Sequence, residues 1–182
     1  MEQKVSLPLI IREAKTEDAR SVAEIQVASW RLAYRGIFPD SYLDGMSPKK
    51  SEQKWVTWID KNKDGSDTPQ MFIAAQEGRV VGFCTTREPE LPPPGYDCEI
   101  QAFYVSPELI GQGAGSKMFR VALNFFEVLG KKGLIIYTAA GNPFRRFYEK
   151  NGGILVETAK TFQIEGQSFP LISYGWKLPK VS

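Results

Sequence analysis

Histidine is absent from the 182 residues. That excludes a Ser-His-Asp or Cys-His catalytic site, a histidine general base, a His-ligated metal and an imidazole pH switch. Acid-base chemistry falls to carboxylates, tyrosine, cysteine, lysine, backbone or water. Cysteine is scarce: Cys84 and Cys98 are too few for a disulfide scaffold or a four-ligand zinc site. They read as small buried residues of a reducing compartment, and no metal is expected. Charge of one sign is in short supply. Lys and Arg number 23 against 21 Asp and Glu, a net +2, which disfavours a nucleic-acid partner. No run of about 18 apolar residues occurs, so no membrane span is expected. Met1 to Pro8 lacks the continuous apolar core of a signal peptide, and a cytoplasmic location is the expectation.

What is present is the balance of a globular chain: 42% hydrophobic, 12% aromatic and 24% charged. The length suits one domain over residues 1–182, with a core from about residue 9 to residue 178. Leu9-Ile10-Ile11 reads as a first strand. Thr16 is positioned as a helix N-cap, with Glu17 and Asp18 in the first turn. Val22, Ile25, Ala28 and Leu32 recur at helical spacing up to Gly36. Residues 36–46 lack periodicity. Ser47-Pro48 opens a second helix, whose apolar side carries Trp55, Trp58 and Ile59.

The pattern then turns to strands. Met71–Ala75 and Arg79–Thr86 flank Glu77-Gly78, a hairpin signal. A proline-bearing loop, Glu88–Gly95, leads to a strand over Cys98–Val105. Ile110–Ser116 is a glycine-rich loop ahead of a helix carrying Met118, Ala122, Phe125 and Leu129 on one face, with Gly130 as its stop. Leu134–Thr138 reads as a strand buried on both faces. Asn142-Pro143 opens a short helix through Lys150. Two final strands, near Ile154–Ile164 and Phe169–Leu178, turn at Glu165-Gly166-Gln167. Helices mixed with hairpins imply a mixed α/β sheet rather than a doubly wound one or a sandwich.

The sharpest motif is Phe103-Tyr104-Val105-Ser106-Pro107 followed by Gly111-Gln112-Gly113-Ala114-Gly115-Ser116-Lys117. Alternating glycines between a strand and a helix let the backbone approach a ligand closely. Unpaired N–H groups at the helix N-terminus attract phosphate oxygens. A nucleotide P-loop needs Gly-Lys followed by Ser or Thr, but here Ser116 precedes Lys117. A dinucleotide fingerprint needs Gly-x-Gly-x-x-Gly and a later acidic residue, and neither is present.

Ile110-Gly111-Gln112-Gly113-Ala114-Gly115 resembles the Arg/Gln-x-x-Gly-x-Gly/Ala pyrophosphate loop of the GNAT superfamily of acetyl-CoA-dependent N-acyltransferases, departing from it at Ile110. Arg12-Glu13-Ala14 with Thr16-Glu17-Asp18 is similar to that family's opening. Asn142 with Phe147-Tyr148-Glu149-Lys150-Asn151-Gly152 is similar to its Asn…Phe-Tyr-Glu-Lys-x-Gly segment. Trp30…Tyr34-Arg35-Gly36 resembles a Trp-x-x-x-Tyr-x-Gly segment of one bacterial subset. The resemblance covers about Ile10 to Leu178. It implies a mixed, mostly antiparallel twisted sheet of about seven strands flanked by about four helices.

The resemblance also implies direct acetyl transfer from acetyl-CoA to a primary amine of an unidentified small-molecule or peptide acceptor, with a homodimer as one state. By this likeness Phe103, Tyr104, Val105, Ile110, Gly111, Gln112, Gly113, Ala114, Gly115, Ser116, Asn142 and Phe147 hold the cofactor. Tyr148 matches the position whose hydroxyl protonates the departing thiolate. Glu99, on the strand leading to the loop, is the first candidate for the base that takes the amine's proton. Trp30, Tyr34 and Phe38 are candidates to line the acceptor pocket. Plainer readings stand beside these: a solvated strand glutamate for Glu99, a packing tyrosine for Tyr148, core packing for Trp30. Lys117, Arg120, Arg145, Arg146 and Lys150 are either phosphate contacts or solvated helix charges. A non-catalytic CoA-binding or regulatory domain on the same fold is the alternative, with Ile110 and the short Asn142–Tyr148 interval in its favour.

Overall fold

The computed structural model describes residues 8–62 and 69–179, so the amino-terminal stretch read for a signal peptide lies outside it apart from Pro8. β1 (Ile10–Glu13) is followed by α1 (Ala19–Tyr34), α2 (Asp40–Gly45) and α3 (Pro48–Asn62). Then come β2 (Met71–Gln76), β3 (Arg79–Arg87), β4 (Cys98–Val105), α4 (Ala114–Val128) and β5 (Gly133–Ala139). α5 (Arg146–Lys150), β6 (Ile154–Val156), β7 (Thr161–Ile164) and β8 (Gln167–Lys177) complete the order. Seven strands run in the order β1-β2-β3-β4-β5-β8-β6, and β7 pairs with the first part of β8. Every pairing is antiparallel except β4 with β5.

The described residues thus hold eight strands and five α-helices where about seven and about four were expected. The extra strand arises because residues 154–164 are two strands, not one. Thr158 between them is tied by hydroxyl contact to Ser173, 3.1 Å away, and breaks the run. The extra helix is α2, six residues long with only Leu43 buried, too short to show a period.

The hairpin turns are as read. Glu77 and Gly78 have φ 52° and 75°, Glu165 and Gly166 have 50° and 76°. Both pairs have positive φ at both turn residues, as a two-residue turn matched to sheet twist requires. β2 alternates cleanly. Met71 and Ile73 pack toward α1 and α3, whereas Phe72 and Ala74 pack toward α4. A third apolar cluster joins the end of α1 to β5, α2 and the β7–β8 hairpin through Tyr34, Phe38, Leu43, Ala139 and Ile164.

Three local expectations need correction. Thr16 is not the cap of α1. Residues Thr16–Asp18 form a 3-10 turn, and the Asp18 carboxylate accepts the Lys15 N–H at 2.8 Å. α1 buries Val22, Ala23, Ile25, Val27 and Ala33 but leaves Ala28 and Leu32 exposed, because sheet and α3 cover it from two directions. α4 starts at Ala114, so Ala114, Gly115 and Ser116 are its first turn rather than loop. Its buried face is Met118, Phe119, Ala122 and Phe126.

Candidate active site

β4 and β5 are paired only at Cys98↔Leu134 and Glu99↔Ile135. Beyond that point they part. A bulge helps: Thr85 faces Ala102 and Thr86 faces Ile100, leaving Gln101 as an extra residue on β4. Between the parting strands lies a cavity of about 460 Å³. Ile100, Gln101, Phe103, Tyr104 and Val105 line it from β4, and Ile136, Tyr137 and Thr138 from β5. The size is that of a small-molecule site.

At one end the glycine loop closes the cavity. Gly111 and Gly113 have φ 85° and 89°, the left-handed region that glycine enters without strain. Gly113 is the residue before α4, and no side chain caps that helix. Its first N–H groups lack intrahelical partners and carry the positive end of the helix dipole. A Cβ on Gly115 would stand 3.3 Å from the Phe147 ring, so this residue fixes how closely α4 approaches α5. Ile110, Gly111, Gly113, Gly115 and Ser116 line the cavity, as do Arg146 and Lys150. Gln112 and Ala114 do not. The Gln112 side chain donates to the Glu108 carbonyl at 3.0 Å, and Ala114 is buried under the helix. Lys117, Arg120 and Arg145 are also off the lining.

Tyr148, Asn142 and Tyr34 line the other part of the cavity, all of them buried. Asn142 does not cap α5, which begins at Arg146. It shapes the preceding turn, accepting the Phe144 N–H at 2.9 Å and donating to Thr138 Oγ1 at 2.8 Å. Phe147 stacks on Phe103 with ring centroids 5.3 Å apart. Burial, with the neighbouring Tyr34 and Tyr174, pushes the Tyr148 phenol well above its usual range. It is therefore a proton donor at neutral pH. Burial raises the Tyr34 phenol too.

Trp30 and Phe38 do not line the cavity. Trp30 Nε1 donates to the Tyr104 hydroxyl at 2.8 Å, and its ring packs against Tyr34, Phe38, Tyr42 and Phe162. Glu99 is also off the lining, and it is not a solvated strand residue, being only 3% exposed. Its Oε1 meets Arg87 at 3.0 Å and Lys160 at 3.6 Å, while Oε2 is buried with no hydrogen-bond partner. Gln101, Tyr137 and Thr138 were missed from sequence. Only the break in apolar character at the end of Leu134–Thr138 hinted at the last two.

Burial pushes the Cys84 thiol up to about 12 and that of Cys98 up as well, so both are inert packing residues. Among the described residues no group of three or more Cys, Asp or Glu is placed to hold a metal ion. No helix there is long and apolar enough to cross a membrane.

With this geometry in place, the chain can be set beside known proteins. The model of the Acetyltransferase (GNAT) family matches residues 21–153. The chain belongs to this family. It is 30% identical over 167 residues to the uncharacterized N-acetyltransferase YuaI of Bacillus subtilis, covering 91% of both chains. It is 26% identical over 148 residues to a spermidine N(1)-acetyltransferase of Thermoplasma acidophilum, covering 78% of this chain and 86% of that one. Among solved structures it is similar to the PaiA N-acetyltransferase of Thermoplasma acidophilum in complex with coenzyme A. The TM-score there is 0.73 at 20% identity, with 93% and 100% of the two chains covered. This GNAT protein is accordingly an acyltransferase, and its mixed α/β sheet is that of the family.

Proposed function

We propose that this GNAT protein moves the acetyl group of acetyl-CoA directly to a primary amine. The observation that carries the reading is one cavity lined by both an uncapped helix N-terminus and a buried phenol, Tyr148. The residues fit the co-substrate. The amides of Gly113 to Ser116 would hold its pyrophosphate, with Arg146 and Lys150 supplying charge. Phe103, Val105 and Phe147 offer apolar walls for a narrow chain, and Asn142 a polar group beside it. A spermidine acetyltransferase among the relatives and coenzyme A in the PaiA structure support both halves of the reaction.

The thioester supplies an activated acetyl group. This chain's residues bring the amine to it and manage two protons. The C–N bond forms as the C–S bond breaks. The proton leaving the nitrogen goes to Glu99 through water, since Glu99 stands off the cavity lining, and Oε2 is the atom without a partner that takes it. The Tyr148 hydroxyl returns a proton to the departing sulfur; its raised pKa means that it still holds that proton at neutral pH. Holding both reactants in one cavity lowers the barrier further by removing the entropy of encounter.

The test is acetyl-CoA turnover against a panel of amines, with coenzyme A binding followed by calorimetry. Saturable binding and acetylation of at least one amine are expected. No binding at millimolar coenzyme A, or binding without transfer to any amine, overturns the reading.

A further inference from the structure

On the α1 side of the sheet, Arg87 of β3 and Glu99 of β4 form a directly opposed cross-strand pair. Lys160, from the connection between β6 and β7, reaches the same carboxylate and lies 3.9 Å over the ring of the cavity residue Tyr137. Two cations thus converge on one buried carboxylate. The remaining partner of Arg87, Glu90, is 82% exposed and weakened by solvent.

Two polar atoms in this cluster have no partner, and they are of opposite kinds. Arg87 Nε is a donor, and Glu99 Oε2 is an acceptor. Both are buried, and a buried polar group left unpaired forfeits its hydration without compensation. A bound molecule with a donor and an anionic acceptor close together would satisfy both at once. It would also neutralise the surplus positive charge of Arg87 and Lys160. A polycation would meet the same charge as repulsion.

The geometry points to an acceptor that carries an oxyanion, a carboxylate in particular, next to the amine to be acetylated. Resting on the acetyl-transfer reading above, this names its substrate class as amino acids or amino-acid-like zwitterions rather than polyamines. The amine faces Glu99 Oε2. The carboxylate is held by Arg87 and Lys160, beside Tyr137 at the cavity wall. Arg87 and Lys160 act as specificity residues, and neither accepts the amine's proton.

The experiment compares matched pairs, each amino acid against its decarboxylated amine and its methyl ester, with spermidine alongside and acetyl-CoA as donor. The free acids are expected to exceed the amines and esters by at least about tenfold in kcat/KM, a typical worth of a charge-assisted contact. Lys160→Met, at a residue about one-third exposed, should fold normally and shrink that gap several-fold through KM for the acids; because Lys160 also touches Glu99, its effect on the base is common to both members of a pair and cancels in the acid-to-amine ratio. Arg87→Gln should shrink it further, and circular dichroism checks that it folds. Amine acetylation without preference for the acids, preference for spermidine, or a gap insensitive to Lys160→Met would each overturn this inference and leave the acetyl-transfer reading standing. Transfer to no amine at all overturns that reading and this inference with it.

Discussion

Trp30 Nε1 donates a hydrogen bond of 2.8 Å to the hydroxyl of Tyr104, tying α1 to β4 across 74 positions of sequence. Tyr104 lines the cavity and Trp30 does not, so the tryptophan acts on the site through its neighbours, by fixing Tyr104 and packing on Tyr34. On β5, Thr138 Oγ1 accepts from Asn142 at 2.8 Å, in the turn before α5. Burial first, then the nearby Tyr34, raises the Tyr104 phenol far above its ordinary value, so it is neutral at physiological pH.

Replacing Trp30 by Phe removes this donor and keeps most of the ring contacts with Tyr34, Phe38 and Phe162. A loss of about 1 kcal/mol in unfolding free energy is expected, read from urea denaturation. The Kd for coenzyme A should stay within twofold. A large fall in coenzyme A affinity with unchanged stability would mean that the indole belongs to the site itself.

Gly113 has φ 89° and open space around a would-be Cβ, so Gly113→Ala strains the backbone without a clash. The strain is about 1–2 kcal/mol and falls on the turn that aims the first amides of α4. Gly166→Ala, at φ 76° in the distant β7–β8 turn, serves as a control of the same kind. Both should lose similar stability. Only Gly113→Ala should weaken coenzyme A binding, by an expected tenfold or so as measured by calorimetry. Equal affinities for the two variants would remove the loop from the binding surface.

Much of this arrangement is legible in sequence, and the rest fails for identifiable reasons. The glycine loop could be read because its signals are local: glycine spacing, a preceding strand and a following helix sit within about 20 residues. Tyr148 was found through its neighbours Phe147, Glu149 and Lys150. The environment of Glu99 could not be found. Arg87 is 12 positions away and Lys160 is 61, and they meet only through strand register and the arch between β6 and β7. Trp30 shares an aromatic cluster with Tyr34, yet which of these two rings faces the cavity depends on the rotation of α1, and Phe38 lies beyond the end of that helix. That rotation is set by α3 and the sheet, not by the helix's own period.

Asp18 shows how the fold responds to acid. Burial acts to raise its carboxyl pKa. The Arg12 guanidinium at 2.7 and 2.8 Å, the Lys15 N–H and the nearby positive charge outweigh that and hold it below the usual carboxylate value. A depressed folded-state pKa stabilises the protein at pH values above the unfolded value, about 3.9. That stability is lost as pH falls through the folded value. Asp18→Asn should therefore cost about 2 kcal/mol at pH 7, and the gap to wild type should close toward pH 2. Thermal melts across that range decide it. A gap independent of pH would assign the loss to packing instead.

The last prediction concerns Tyr148 as proton donor. Its ring packs at 5.5 Å on Tyr174 and 5.6 Å on Phe147, so Tyr148→Phe should preserve the packing and remove only the hydroxyl. Coenzyme A binding should be nearly unchanged. The acetyl-transfer kcat should fall about 100-fold, within the usual range for losing a general acid. Because burial pushes the phenol above its ordinary value of about 10, it stays protonated as pH rises to that point. The wild-type rate should consequently show no decline from this group between pH 7 and about 10. A Tyr148→Phe enzyme with wild-type kcat would leave the tyrosine a packing residue and pass protonation of the sulfur to solvent.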